Sequence, residues 1–294
     1  MSIPATTLIS AARQTQFGRE QTTHEWQARM AITFVEKAGR TVLGQHAFYG
    51  PLRIQKPFYP EGDGVCHLYI LHPPGGLVGG DDLGIEVQVE ARAQALITTP
   101  AAGKFYRSNG AIATQRQVLS VAEDACLEWL PQENILFGGS RARLATQIQM
   151  HPKARFIGWD ITALGRPLSG DHYRSGDLDQ RLELFVAGQP MLLERQRLAA
   201  GERVIAAPWG LDDHCVFATL VAYPAELDLC DTVRQRIANT PAAVIGVTLV
   251  DRTLIVRVLA DEVERGRGAL ECALQIMRPV ITGRPYHRPR IWCT

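Results

Sequence analysis

Acidic side chains that follow glycine-rich turns are the residues of this sequence best suited to chemistry. Asp81 and Asp82 end a segment, 67–82, in which an apolar strand runs into two prolines and two Gly-Gly pairs. Glycine permits positive φ and close backbone approach, so we expect a sharply folded loop that holds both carboxylates in place. As hard oxygen ligands they would attract a divalent metal. As turn and capping residues they would only shape the loop, and the sequence leaves both interpretations open.

Three further acids stand in apolar or glycine-rich surroundings. Glu133 lies between two apolar runs, and Asp160 follows the apolar residues of a strand-like segment. Asp171 closes a segment bounded by glycines, in which Arg166 is a candidate counter-charge. Because burying a carboxylate is costly unless a cation neutralises it, each of these acids needs a partner or a function.

Parts of this sequence resemble short motifs of known enzyme classes, but none of these motifs is complete. A phosphate-binding loop that ends at Lys104 would need glycine in place of Thr98 and a hydroxyl residue in place of Phe105. A nucleophile elbow at Ser140 would need glycine in place of Ala142. The eight histidines contain no His-Glu-x-x-His pairing, so a zinc or nickel centre of conventional spacing is not indicated.

Charge and composition exclude several classes of protein. The chain has 294 residues and a net charge of +1, which provides no large basic field for nucleic acid. The four lysines are far outnumbered by 27 arginines; codon bias explains this excess, or else arginine forks serve an interface. No secretory signal and no apolar run long enough for a membrane span is found. We therefore expect a cytoplasmic protein without nucleic-acid or membrane partners.

Alternating polar and apolar residues indicate the elements that position these acids. From Trp26 to about Tyr223 the period is mostly two, as in Ile85–Glu90, and turns at Lys37–Arg40 and Ala187–Gln189 have hairpin spacing. These features predict half-buried strands in stacked antiparallel sheets. We expect residues 1–24 to be poorly ordered and 25–223 to form a β-rich body.

The pattern changes after Pro224. Helical spacing over Glu226–Asn239 is followed by strands at Ala243–Val250 and Thr253–Leu259, and by a second helix from Asp261, a candidate N-cap, to Met277. The fold class expected is mainly β, with two α-helices in an α+β C-terminal portion, 224–294. No linker separates this portion, so we predict a single domain over 1–294.

Four multi-residue segments resemble the UreD (UreH) family of urease accessory proteins. They are LHPPGGLVGGDDL at 71–83, ITTPAAGKFYRS at 97–108, WLPQENILFGGSRA at 129–142 and GRPLSGD at 165–171. The closing RPRIW, 288–292, is also similar, so the resemblance covers nearly the whole chain. It implies one body of stacked antiparallel or helical β-sheets with a helical element near the C-terminus.

The resemblance also implies a function. Family members are non-catalytic scaffolds or chaperones that bind the urease apoprotein and, through a UreF-type accessory protein, the GTPase UreG. The complex incorporates nickel into the urease active site. Nucleotide hydrolysis would then belong to a partner, in agreement with the absent phosphate loop. We expect no permanently bound cofactor, only transient nickel(II) in an internal passage.

That passage offers a common role for the scattered acids. The residues we expect to line or gate it are Asp81, Asp82, Glu133, Asp160, Asp171 and Glu194, with His72 as a weaker, softer ligand. Transit requires weak successive oxygen contacts, since a cage of Cys and His would hold nickel too tightly. Three alternatives stay open: structural ion pairs with arginine, an assembly chaperone that never contacts nickel, and an enzyme that uses the acids as general acid and base.

The C-terminal tail is the expected partner-binding segment. Its candidate residues are Arg284, Arg288, Arg290 and Trp292, and they follow the amphipathic helix predicted to end at Met277. Arginine and tryptophan are enriched at protein interfaces, and an amphipathic helix suits a partner groove.

Overall fold

Two facing β-sheets form most of the protein. The computed structural model describes residues 26–238, 240 and 243–293. In chain order the strands are β1 (Gln27–Lys37), β2 (Arg40–Tyr49), β3 (Arg53–Ile54), β4 (Cys66–Leu71), β5 (Asp82–Val89), β6 (Gln94–Thr98), β7 (Gly103–Phe105), β8 (Ala113–Val121), β9 (Cys126–Leu130), β10 (Asn134–Leu136), β11 (Arg141–Met150), β12 (Arg155–Leu164), β13 (Asp177–Val186), β14 (Gln189–Ala199), β15 (Val216–Tyr223), β16 (Ala243–Val250) and β17 (Thr253–Ala260).

The chain coils between the two sheets. The first sheet has the order β14-β13-β11-β8-β5-β1-β2, and the main path of the second is β16-β17-β15-β12-β9-β6-β4-β3. From β4 to β13 the chain crosses to the other sheet after each long strand, so it re-enters each sheet in the same direction. The central pairs, such as β5 with β8 and β9 with β12, are therefore parallel.

The predicted mainly β body of stacked sheets is confirmed. Antiparallel pairing is found towards the edges, at the predicted hairpins β1–β2 and β13–β14 and along β12, β15, β17 and β16. The centre of each sheet is parallel instead. Alternation has the same period in both kinds of sheet, which is why the pattern of residues did not distinguish them.

The core between the sheets is built from the inward side chains of each strand. Leu144 and Ile148 of the first sheet share one buried cluster with Phe156 and Leu164 of the second. Each large apolar side chain that is fully buried contributes about 1.5–3 kcal/mol to the free energy of folding. This cluster fixes the register of the strands, because a slip of one residue would turn every inward side chain to the opposite face.

The C-terminal portion covers the outer face of the second sheet. Helices Leu227–Ile237 and Val263–Thr282 pack on it with Leu229, Leu270 and Met277 buried. Both predicted helices and both predicted strands are confirmed, and β17 pairs with β15, so this portion continues the same sheet.

The start of the last helix and one further helix differ from the prediction. The helix begins at Val263 after Glu262, and the expected N-cap Asp261 instead contacts His214, with 2.8 Å between Oδ1 and Nδ1. The helix also runs past Met277 to Thr282, where Gly283 ends it at a φ of 72°. A one-turn helix at Arg203–Ala206 was not predicted.

Residues 1–24, which were predicted to be poorly ordered, lie outside the described residues. Among the helices of the described part, none has the length and apolar character needed to span a membrane.

A buried ion cluster attaches the last helix to the second sheet. The Arg278 side chain is 1% exposed and lies 2.7 Å from carboxylate oxygens of both Glu128, on β9, and Glu61. It also donates to the carbonyl of Pro285, and Glu61 contacts His67 Nε2 at 2.7 Å. The cluster therefore joins the helix, the sheet, the loop before β4 and the C-terminal tail.

Replacing Arg278 by Ala is expected to lower the free energy of unfolding by about 3–5 kcal/mol, because two carboxylates would be left buried without a cation. The matched control is Arg234→Ala, which removes an exposed pair with Asp231 and should cost no more than about 1 kcal/mol. Urea unfolding measures both. Equal losses in the two variants would contradict the role of the cluster.

Candidate functional site

The four segments singled out in the sequence lie side by side at one edge of the two-sheet body, where the chain passes from the second sheet to the first. Connections from the second sheet to the first are long turns, at 72–81, 99–112, 131–140 and 165–176, whereas the return connections after β5, β8 and β11 span 90–93, 122–125 and 151–154. Short parallel pairings join these turns. Leu77 pairs with Phe105 of β7, β7 pairs with β10, and β10 pairs with the end of β12. We call this edge, formed by the four long turns, the long-turn edge.

Asp81 and Asp171 hold the turns of this edge. Asp81 Oδ2 accepts the N–H of Val78 at 2.8 Å, and the Asp171 carboxylate accepts the N–H groups of Gly138 at 2.9 Å and Tyr173 at 3.2 Å. These contacts match the interpretation as turn and capping residues. Burial lowers the pKa of the nearby His72, whereas the charge of Asp81 raises it.

Asp82 and Glu133 meet arginines. Asp82 contacts Arg29 at 2.5 Å and Arg116 at 3.0 Å, both on neighbouring strands of the first sheet. Glu133 Oε2 is buried and lies 3.7 Å from Nη1 of Arg267, on the last helix. Within the described residues this oxygen accepts no hydrogen bond. Both acids thus have the cationic partners expected of structural ion pairs.

Asp160 and Glu194 are brought together in the interior between the sheets. They belong to a band of polar side chains on inward positions, which we call the polar seam. Its members are Gln117, Thr146, Asp160, Thr162, Gln180, Glu194, Gln196 and Thr219. Five of the eight, and two apolar residues, line a cavity of about 10 Å³, close to the smallest volume that holds one water molecule.

The Asp160 carboxylate has no cationic partner. Its side chain is buried on β12 and accepts a hydrogen bond from Thr146 Oγ1 at 3.2 Å. In the described part of the chain no Lys, Arg or His nitrogen lies within 4 Å of it. Burial raises the pKa of Asp160 to about 6; hydrogen bonds from Thr146 and Gln180 lower it, and the charge of Glu194 raises it.

Glu194 lies where the polar seam reaches the surface. Its Oε1 accepts hydrogen bonds from Thr219 and Gln196, both at 3.1 Å. Its Oε2 contacts Arg257 Nη2 at 2.6 Å, and the arginine is 47% exposed. The seam therefore presents two carboxylates, amides and hydroxyls, which are the oxygen donors that hard divalent cations prefer. Within the described residues no group of three or more His, Cys, Asp or Glu side chains has the geometry to hold a metal.

Comparison with known proteins bears on the whole chain. A family model described as "UreD urease accessory protein" matches residues 27–293. The urease accessory protein UreD of Alkalilimnicola ehrlichii is 46% identical over 270 residues, which cover 92% of each chain. The protein of the same name from Klebsiella aerogenes is 43% identical over 271 residues, 92% of this chain and 97% of the relative. The chain belongs to the UreD family.

Of the polar seam in this UreD-family chain, only Asp160 and Glu194 were predicted from the sequence as functional residues. Gln180, Gln196, Thr219 and the rim residue Arg257 are polar residues on otherwise apolar faces of strands. Gln180, for example, stands between Leu178 and Leu182, which are buried. A polar residue in the apolar phase of an alternating strand was the available signal.

The tail residues predicted to bind partners lie against the body of this UreD-family chain. Trp292 donates to Thr98 Oγ1 at 2.9 Å and packs on Trp159, and Arg284 donates to Gln94 at 3.1 Å. Arg288 pairs with Glu271 at 3.3 Å, and Arg290 is exposed. Their role in partner binding stays a prediction.

Asp160 gives the stability of the protein a defined pH dependence. Its folded pKa of about 6 lies above the unfolded value of about 3.9, so between these values the folded state binds more protons and becomes less stable as pH rises. Asp160→Asn should remove this trend. Its unfolding free energy relative to the parent chain should rise by up to about 3 kcal/mol between pH 4 and pH 7.

Urea unfolding at several pH values measures the effect, with Asp179→Asn as the control. Arg195 lowers the pKa of Asp179, so this variant should change in the opposite direction and lose relative stability as pH rises towards 4. A pH-independent difference between Asp160→Asn and the parent chain would contradict the assignment.

Proposed function

We propose that this chain is a non-catalytic scaffold that supports nickel incorporation into urease. Membership of the UreD family gives the general role in urease maturation, and the relatives are named accessory proteins. In the proposal the chain acts in the cytoplasm, in a complex with a UreF-type protein, a UreG-type GTPase and the urease apoprotein. It holds nickel(II) only in transit.

The observation that carries the nickel part of the proposal is the uncompensated Asp160 carboxylate beside Glu194. A charge buried between two apolar sheets is costly, and a divalent cation that enters the polar seam would offset that cost. Oxygen ligands bind nickel(II) less tightly than thiolates or imidazoles, so the ion can leave again.

Arg257 has a defined role in this proposal. Its guanidinium is the cation that neutralises Glu194 at the rim of the seam, with contacts at 2.6 and 3.1 Å. A nickel ion that reaches Glu194 would replace this contact, and the exposed arginine would move into water. Asp81, Asp82, Glu133 and Asp171 already have backbone or arginine partners, so the proposal relies on Asp160 and Glu194.

The second candidate function is an assembly chaperone that does not contact nickel. The ion pairs of Asp82 and Glu133 favour it, as does the small cavity, about 10 Å³, between Asp160 and Glu194. The two candidates differ in one respect: only the first requires the carboxylates of the seam after the complex has assembled.

Asp160→Asn and Glu194→Gln, each co-expressed with urease and its other accessory proteins, separate the two functions. Both substitutions keep the shape of the side chain and remove its charge. We expect urease with about tenfold less nickel, the usual scale for a change at a metal site, while the amount of complex recovered stays unchanged. Metal analysis of purified urease and its activity provide the measurement.

Asp179→Asn is the matched control, because it removes a carboxylate from the outer face of the first sheet, to which Glu194 also belongs. It should leave the nickel content at the level of the parent chain. Full nickel loading with both seam variants would exclude the passage and favour the chaperone.

A further inference from the structure

Three arginines lie beside one turn of the long-turn edge, at 137–140. A methyl group on Gly139 would lie 3.0 Å from Cγ of Arg107. The guanidinium of Arg166 stacks over the ring of Phe137, with Cζ 4.0 Å from the ring centroid. Arg174 directly precedes Ser175, whose carbonyl accepts the N–H of Gly139 at 2.6 Å. We call Arg107, Arg166 and Arg174 the arginine cluster.

The arginine cluster has no acidic partners within the described residues, whereas arginines such as Arg195 and Arg257 have them. All three side chains belong to exposed residues, and in the described part of the chain no carboxylate oxygen lies within 4 Å of their nitrogens. The nearby Asp171 is engaged by backbone N–H groups. Elsewhere in the first sheet, arginines form ion pairs with acidic side chains, as Arg195 does with Asp179. The cluster is therefore a local excess of positive charge.

An exposed apolar residue adjoins the cluster. Leu168 is 94% exposed and lies in the same turn as Arg166, on a one-turn 3-10 helix at Pro167–Ser169. Val78, of the first long turn, is 51% exposed. The proline and the short helix fix the backbone at Leu168, so its side chain is presented at little cost in conformational entropy.

We propose that the long-turn edge binds an acidic surface of a protein partner, with the arginine cluster contacting carboxylates and Leu168 packing against an apolar residue between them. Arginine forks match carboxylates in geometry and charge. Nucleic acid fits less well, because the net charge of the chain is +1 and an exposed leucine makes no favourable contact with phosphates. The inference rests on the proposed function in one respect: the partner is sought within the urease maturation complex.

The test uses the full chain, with purified urease apoprotein and purified UreF-type protein as probes in biolayer interferometry at low and high salt. The variant Arg107→Glu/Arg166→Glu/Arg174→Glu should bind at least one probe about tenfold more weakly, and the salt dependence of that binding should decrease. Leu168→Ser should weaken the same binding without changing its salt dependence. A DNA duplex serves as the third probe.

The matched control is Arg197→Glu/Arg203→Glu/Arg236→Glu, which makes the same change of charge at three exposed arginines elsewhere. Unchanged binding by the cluster variant would overturn the proposal, as would an equal loss in the control, or a loss confined to the DNA probe. If the parent chain binds neither protein, the proposed function fails. If the parent chain binds and the cluster variant binds equally well, only the docking surface fails.

Discussion

A carboxylate enclosed between two apolar sheets needs a proton or a cation, and the arrangement around Asp160 follows from this requirement. The Thr146 hydroxyl and the Gln180 amide contact the carboxylate, but among the residues that the structure describes no arginine nitrogen lies within 4 Å of it. Its neighbour Glu194 lies nearer the surface and has Arg257 as counter-ion. The polar seam is thus neutralised at the rim and short of positive charge inside. That imbalance is the physical basis for proposing that a divalent cation passes through it.

The coiled path of the chain couples the polar seam to the long-turn edge. Strands β11, β12 and β13 supply Thr146, Asp160 and Gln180 to the seam. The turns next to the same strands supply Arg166 and Arg174 of the arginine cluster and the turn around which it is arranged, whereas Arg107 comes from the turn before β8. A partner bound at the edge would therefore contact the connections that set the spacing of the seam residues. In this proposal, partner docking and cation transfer depend on the same strands, β11 to β13, and on the turns next to them.

Much of the fold could be predicted from the sequence because period-two alternation and helical spacing are local signals. The hairpins, the last two strands and both C-terminal helices follow from them. Parallel pairing could not be predicted in this way, since parallel partners lie far apart in the sequence, as Asp82 does from Thr114 and Gln27 from Asp82, with strands of the other sheet between them. The acids were recognisable by type, but their partners were not: Asp82 meets Arg29 and Glu194 meets Arg257 only after the sheets form.

The most direct test of the account is the carboxyl resonance of Asp160, observed by 13C NMR while nickel(II) is added to the assembled accessory complex. Nickel(II) with oxygen ligands is paramagnetic, so an ion in the polar seam must broaden this resonance even at partial occupancy. We predict broadening at Asp160 and Glu194 at nickel concentrations that support urease activation, and its loss in Glu194→Gln. Broadening confined to exposed acids, with Asp160 unaffected in a complex that activates urease, would contradict the passage.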